Sequence, residues 1–155
     1  ELYEIVLAAQ QAAIAAVVPG ANWNSPHERA VKVIAGGLRK LGLLKGSVAQ
    51  IIKKEDYRLF FPHRTGHWLG MDVHDVGDYK IDGAWRHLEP GMVLTVEPGN
   101  YVPPGMRGVP KKYWGIGIRI EDDVLVTASG NEVLTGAAPK SVAEIESLME
   151  GQNGD

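Results

Sequence analysis

The sequence predicts an α/β domain in which helices come first, an antiparallel sheet follows and a last helix closes the chain. Three observations carry this. Apolar residues recur at three- and four-residue spacing before residue 60, they alternate or run together in short stretches afterwards, and most of the 19 glycines lie beyond residue 65. At 155 residues and 45% hydrophobic content, the chain can bury one core without a disulfide or structural metal. That content excludes disorder, and the lack of a repeat excludes collagen-like and coiled-coil chains. No apolar run approaches the roughly 18 residues of a membrane span. The absence of cysteine removes disulfides, thiolate nucleophiles and Cys-type zinc sites. A net charge of −3 gives no electrostatic reason to hold nucleic acid or an anionic membrane. The chain opens on Glu1, with Glu4 close behind and no basic leader, so the expected location is the cytoplasm.

Leu2, Ile5, Val6, Ala9 and Ala13 form the stripe of a first helix, which Pro19-Gly20 ends. Ser25 and Glu28 flank Pro26 as a capping box, so a second helix starts at Pro26, presents Val31, Ile34, Leu38 and Leu41, and stops at Gly42. A short helix covers Val48 to Lys54. Met92 to Glu97 reads as a buried strand closed by Pro98-Gly99. Ile116, Ile118 and Ile120 alternate with Gly117, Arg119 and Glu121 as a strand with one apolar face. Val124–Thr127 and Glu132–Thr135 form a hairpin around a three-residue loop, Ser129-Gly130-Asn131. Ser141 and Glu144 cap the last helix.

Chemistry concentrates in the second half. Three of the five histidines, His63, His67 and His74, fall within twelve residues. The spacing is not that of a helical H-E-x-x-H zinc site, because Arg64, Thr65 and Gly66 fill the gap. Glu97 and Glu121 each end an apolar strand, where a carboxylate is costly unless an arginine or a cation pairs it. Arg119 shares strand parity with Glu121 and offers the arginine alternative; Glu97-Pro98-Gly99 has a turn as its own. One imidazole and two carboxylates from separate strands otherwise make an oxygen-rich site suited to Mn²⁺ or a similar ion. His67 and His74 are seven apart and point to opposite faces of an unbroken strand, so a shared cleft requires a bend at Gly70.

Three stretches, His63 to Asp75, Leu88 to Gly99 and Gly115 to Asp122, resemble in that order the signatures of the pita-bread metallopeptidases, closest to the Xaa-Pro aminopeptidases among them. The likeness covers nearly the whole chain; Arg64 stands where the family usually carries glycine. It implies a partial pita-bread fold, an antiparallel curved sheet flanked by helices. Residues 1–155 would then be the C-terminal portion of one catalytic domain, with an N-terminal domain and the first part of the catalytic domain outside it. It implies hydrolysis of the bond between an N-terminal residue and proline, by two divalent ions, Mn²⁺ foremost. His67 would be the imidazole ligand, Glu97 a carboxylate ligand that also takes the proton of the attacking water, and Glu121 the bridging carboxylate. His63 and His74 would bind substrate and steady the tetrahedral intermediate, while Tyr101 and Arg119 line the proline pocket.

The family draws two further aspartate ligands from strands ahead of the first helix. The acidic residues before His63 are Glu1, Glu4, Glu28, Glu55 and Asp56, none in a strand pattern. These 155 residues alone are therefore expected to hold at most one weakly bound cation and to be inactive. Alternatives are an Xaa-Pro dipeptidase of the same fold and a metal-free module that binds peptides or proteins; a metal-free module has no need to keep His67, Glu97 and Glu121 together. A mononuclear iron oxygenase expects two histidines and one carboxylate, the reverse of this set. The expected partners are a peptide with proline second and other copies of the same chain.

Overall fold

The computed structural model describes residues 1–151. Helices α1 (Leu2–Ile14) and α2 (Ser25–Lys40) lie against each other, with Leu2, Val6, Ala9 and Ala13 of one and Val31, Ile34 and Leu38 of the other buried. Gly37 permits the close approach: a Cβ there would lie 2.6 Å from the Ile5 side chain. A short α3 (Val48–Lys53) carries a full capping box between Ser47 and Gln50.

Seven short strands follow: β1 (Lys80–Ile81), β2 (Ala84–Trp85), β3 (Val93–Val96), β4 (Gly99–Val102), β5 (Ile116–Arg119), β6 (Asp122–Val126) and β7 (Asn131–Val133). All pairing is antiparallel, in three pieces ordered β3-β6-β7, β4-β5 and β1-β2. α1 touches β3, β4 and β5, so this helix packs against both the β3-β6-β7 and the β4-β5 sheets. Helix α4 (Val142–Gly151) ends the described chain, capped as the Ser141/Glu144 pairing predicts. No helix among the described residues is long and apolar enough to cross a membrane.

Three local expectations need correction, and one element is new. α2 begins at Ser25 with Asn24 as its N-cap, so the Ser25 hydroxyl caps nothing and Glu28 instead accepts from Asn24 Nδ2 at 2.7 Å. The β6–β7 hairpin closes with Val126 opposite Asn131, giving a four-residue loop over 127–130 tied by Thr127 N–H to Gly130 O at 3.0 Å. Pro98-Gly99 does not end the extended chain, because Gly99 opens β4 against Arg119. The β1–β2 hairpin has no counterpart in the sequence reading.

Candidate active site

The site is built on the ends of β3 and β6. Val96 pairs with Asp122, so the next residue outward on one strand, Glu97, stands beside Glu121 on the other. On the other edge of β3, residues 65–69 run alongside: Leu69 N–H donates to Val93 O, Thr95 N–H to His67 O and Glu97 N–H to Thr65 O, at 3.2, 3.0 and 2.7 Å. Gly66 is required in this seam, since a Cβ would come within 2.0 Å of the Thr95 carbonyl oxygen. Three consecutive backbone segments thus deliver His67, Glu97 and Glu121, whose candidate ligand atoms all lie within 4.8 Å of one another.

A hydrogen bond to the backbone orients the imidazole. His67 Nδ1 donates to the Trp68 carbonyl at 2.9 Å, which turns Nε2 toward Glu97 Oε1, 3.4 Å away. Thr95, buried between the two, accepts from His67 N–H at 3.0 Å and donates its hydroxyl to Glu97 Oε1 at 3.2 Å. Sequence reasoning passed over Thr95; a polar residue in the middle of an otherwise apolar buried strand was its signal. Burial, then the charges of Glu97 and Asp123, raise the Glu121 carboxyl above its ordinary value. Such crowding of carboxylates disfavours their joint ionisation unless a cation sits among them.

The remaining residues singled out in the sequence surround this group. His63 Nδ1 donates to Arg64 O at 2.7 Å and its Nε2 accepts from Tyr101 OH at 2.8 Å, while Arg119 Nε donates to the same hydroxyl at 2.9 Å. Tyr101 on β4 and Arg119 on β5 are diagonal neighbours across the pair. Arg119 Nε also lies 3.6 Å from Glu97 Oε2, so this arginine serves Glu97 and Tyr101 rather than pairing with Glu121. His74 reaches the cleft by a bend at Gly70. Asp75 N–H bonds back to Trp68 O, and a Cβ on Gly70 would collide with the Asp75 carboxylate at 1.7 Å. The His67 and His74 rings meet edge to face, 4.4 Å between centroids.

Behind the cleft, Trp23, Trp68 and Tyr79 pack together, with centroids 4.1 Å apart for the tryptophan pair and Tyr79 stacked 5.9 Å from Trp68. Buried His27 shares a 2.8 Å hydrogen bond with Thr65 Oγ1 at the foot of the same segment. Burial pushes its imidazole down to about 3, helped by the Arg64 charge. Neither the aromatic stack nor His27 carried a pattern that separated it from ordinary core.

The geometry suits a hard or borderline cation: one imidazole nitrogen with its other nitrogen engaged, and two carboxylates converging from paired strands. The chain belongs to metallopeptidase family M24, whose profile matches residues 1–128; divalent-metal dependence comes with that membership. Among individual proteins, it is 50% identical to the Xaa-Pro aminopeptidase of Haemophilus influenzae over 149 residues, 96% of this chain and 34% of that protein. The Xaa-Pro aminopeptidase of Escherichia coli is 49% identical, over 96% of this chain and 33% of its own length. In structure it superposes on the aminopeptidase PepP of Pseudomonas aeruginosa with a TM-score of 0.97 at 56% identity, covering 99% of this chain and 35% of that one. Aminopeptidase P from E. coli with the inhibitor Pro-Leu gives 0.94 at 47% identity, with 99% and 35% covered. The expected pita-bread architecture is thereby borne out, and the chain spans about a third of the length of the curated relatives it matches.

Proposed function

We propose that these residues form the C-terminal portion of the catalytic domain of an Xaa-Pro aminopeptidase, which hydrolyses the bond between an N-terminal residue and a following proline. The observation that carries the reading is the convergence of His67, Glu97 and Glu121 on one point from three adjacent backbone segments. These three would hold divalent cations, Mn²⁺ foremost, and such ions polarise a scissile carbonyl and make water acidic enough to attack it near neutral pH. In this reading two aspartates that complete a pair of ions lie outside the 155 residues, so residues 1–155 alone hold at most one cation, weakly, and do not turn over.

The chain's own residues take the other tasks. Glu97 accepts the proton of the attacking water; Thr95 already occupies its Oε1, which leaves Oε2 on the Arg119 side for that proton. His74, exposed at the cleft mouth, donates a hydrogen bond to the developing oxyanion, and His63, whose two ring nitrogens meet Arg64 O and Tyr101 OH, gives up one of these bonds to take hold of the bound peptide. Tyr101 and Arg119 shape the wall that receives the proline ring. The same reading takes in a cytoplasmic location, a homo-oligomer, and neither nucleic-acid nor membrane partners.

The test is an assay of the protein expressed from its complete reading frame, stripped of metal and then resupplied with Mn²⁺. Cleavage of Xaa-Pro-Xaa tripeptides, dependent on Mn²⁺ and absent for Xaa-Ala-Xaa, is expected. A preference for Xaa-Pro dipeptides would move the assignment to a dipeptidase. Peptide binding without any cleavage would leave the binding module as the correct reading.

A further inference from the structure

Directly after Glu121 comes a carboxylate that the site does not use. Asp122 is 2% exposed, yet it is fully partnered. Its Oδ2 accepts from Gln10 Nε2 of α1, and its Oδ1 accepts both the Thr135 hydroxyl at 2.6 Å and Lys140 Nζ at 3.0 Å. Thr135 accepts in turn from Asp123 N–H at 3.0 Å, and Lys140 also donates to the Ala138 carbonyl at 2.8 Å. Three parts of the chain distant in sequence therefore close on one buried side chain: the first helix, the end of the β7 hairpin and the approach to α4. Thr135 and Lys140 lie beyond residue 128, where the family match ends.

Position explains why this matters. Successive residues of an extended strand face opposite ways, so Glu121 looks into the cleft while Asp122 looks away from it. Fixing Asp122 fixes the register of β6 against β3, and a slip of one residue would take Glu121 out of the cleft and put Asp122 in its place. A buried ion pair is a poor source of stability but a good device for choosing one register, because every alternative leaves a charge unpaired.

We propose that Asp122, clamped by Lys140, Thr135 and Gln10, is a positioning residue for the metal centre, and that the segment from Thr135 to Lys140 acts through it to hold Glu121 beside Glu97. The inference rests on the proposed metal site and concerns the affinity of that site rather than the chemistry performed there.

The experiment uses the protein from its complete reading frame as wild type, Lys140→Met, Lys140→Arg and Thr135→Val. For each, the Mn²⁺ dissociation constant is measured by competition with a chromophoric chelator, beside the melting curve of the metal-free protein. Loss of a group that orients a ligand typically weakens metal binding roughly 10- to 100-fold. Lys140→Met is expected to fall in that range, Lys140→Arg to recover most of the affinity, and Thr135→Val to show a smaller loss. Mn²⁺ affinity within twofold of wild type in both Lys140→Met and Thr135→Val, with only the melting temperature lowered, overturns the proposal and makes the clamp an ordinary fold anchor. If Lys140→Met does not fold, Thr135→Val, which keeps the ion pair, decides by the same criterion. A wild type that binds Mn²⁺ but cleaves no Xaa-Pro peptide would refute the enzymatic reading alone, since these affinities are measured without substrate.

Discussion

Two ways of holding a functional side chain stand next to each other in this cleft. Glu97 and Glu121 sit at the ends of strands paired in the β3–β6 ladder, and His67 sits on a segment bonded to β3 from the other edge. His74 sits in a bend tied down by few bonds, Gly70 N–H to Asp72 O and Asp75 N–H to Trp68 O, with Met71, Val73 and Val76 exposed around it. The difference separates two demands. Cation donors must converge within a few tenths of an ångström and gain from backbone that is already fixed, whereas a group that greets a peptide gains from backbone able to adapt. Metal affinity and transition-state stabilisation should therefore separate when residues on the two backbones are changed.

The largest effect is expected from the fixed side. In the complete protein, Glu97→Gln removes the proposed carboxylate ligand and proton acceptor together, while Thr95 can still bond the amide oxygen and keep the strand in place. Turnover of an Xaa-Pro tripeptide should fall by about 10³-fold or more, within the range general-base catalysis supplies, with Mn²⁺ content reduced as well. Elemental analysis beside kcat measures both, and a variant with full metal and full rate would remove Glu97 from the centre.

His74→Ala probes the adaptable side. Metal content should stay at the wild-type level while kcat drops by roughly 10²-fold, the usual cost of one hydrogen-bond donor to a developing oxyanion. Loss of metal from this variant would place His74 among the ligands and erase the contrast between the two backbones.

The same contrast marks what could be read from the sequence. The residues on fixed backbone were legible, because Met92–Val96 and Ile116–Ile120 announce their strands and a carboxylate ending each is conspicuous. The parity of His67 and His74 even required the bend that the structure places at Gly70. β4 was missed because Pro98-Gly99 carries a turn signal. Yet Gly99 answers a close approach, since a Cβ there would meet Tyr101 OH at 2.6 Å and Ile118 O at 2.7 Å. The β1–β2 hairpin hides because its two-residue strands are too short for alternation to show. Its turn, Asp82-Gly83 with φ of 50° and 81°, was the usable clue. The clamp on Asp122 had no local signal at all, since residues 10, 122, 135 and 140 meet only through the tertiary fold.

The smallest expected effect reaches the fixed side through its foundation. His27 hydrogen-bonds Thr65, whose carbonyl receives the Glu97 N–H, and burial holds the imidazole near 3 instead of its ordinary 6.5. Between those values the unfolded chain binds a proton that the folded chain refuses, so stability rises with pH across this window. The contribution is complete above about pH 6.5 and is lost progressively as the pH falls toward 3. At pH 5.5 the loss amounts to about 1.4 kcal/mol, one pH unit below the unfolded value. His27→Gln keeps a group able to bond Thr65 but cannot titrate. Denaturant midpoints of the metal-free protein at pH 7.5 and 5.5 should therefore fall by less in His27→Gln than in wild type, with the difference lying in the midpoint and not the slope. Hydrogen exchange should show the wild-type loss at the amides of Thr95 and Glu97, which bond to residues 67 and 65, before any change in β6 and β7. Equal acid sensitivity in the two proteins would mean that charging His27 does not govern the seam, and that the cleft's fixed side is held from the β6 edge alone.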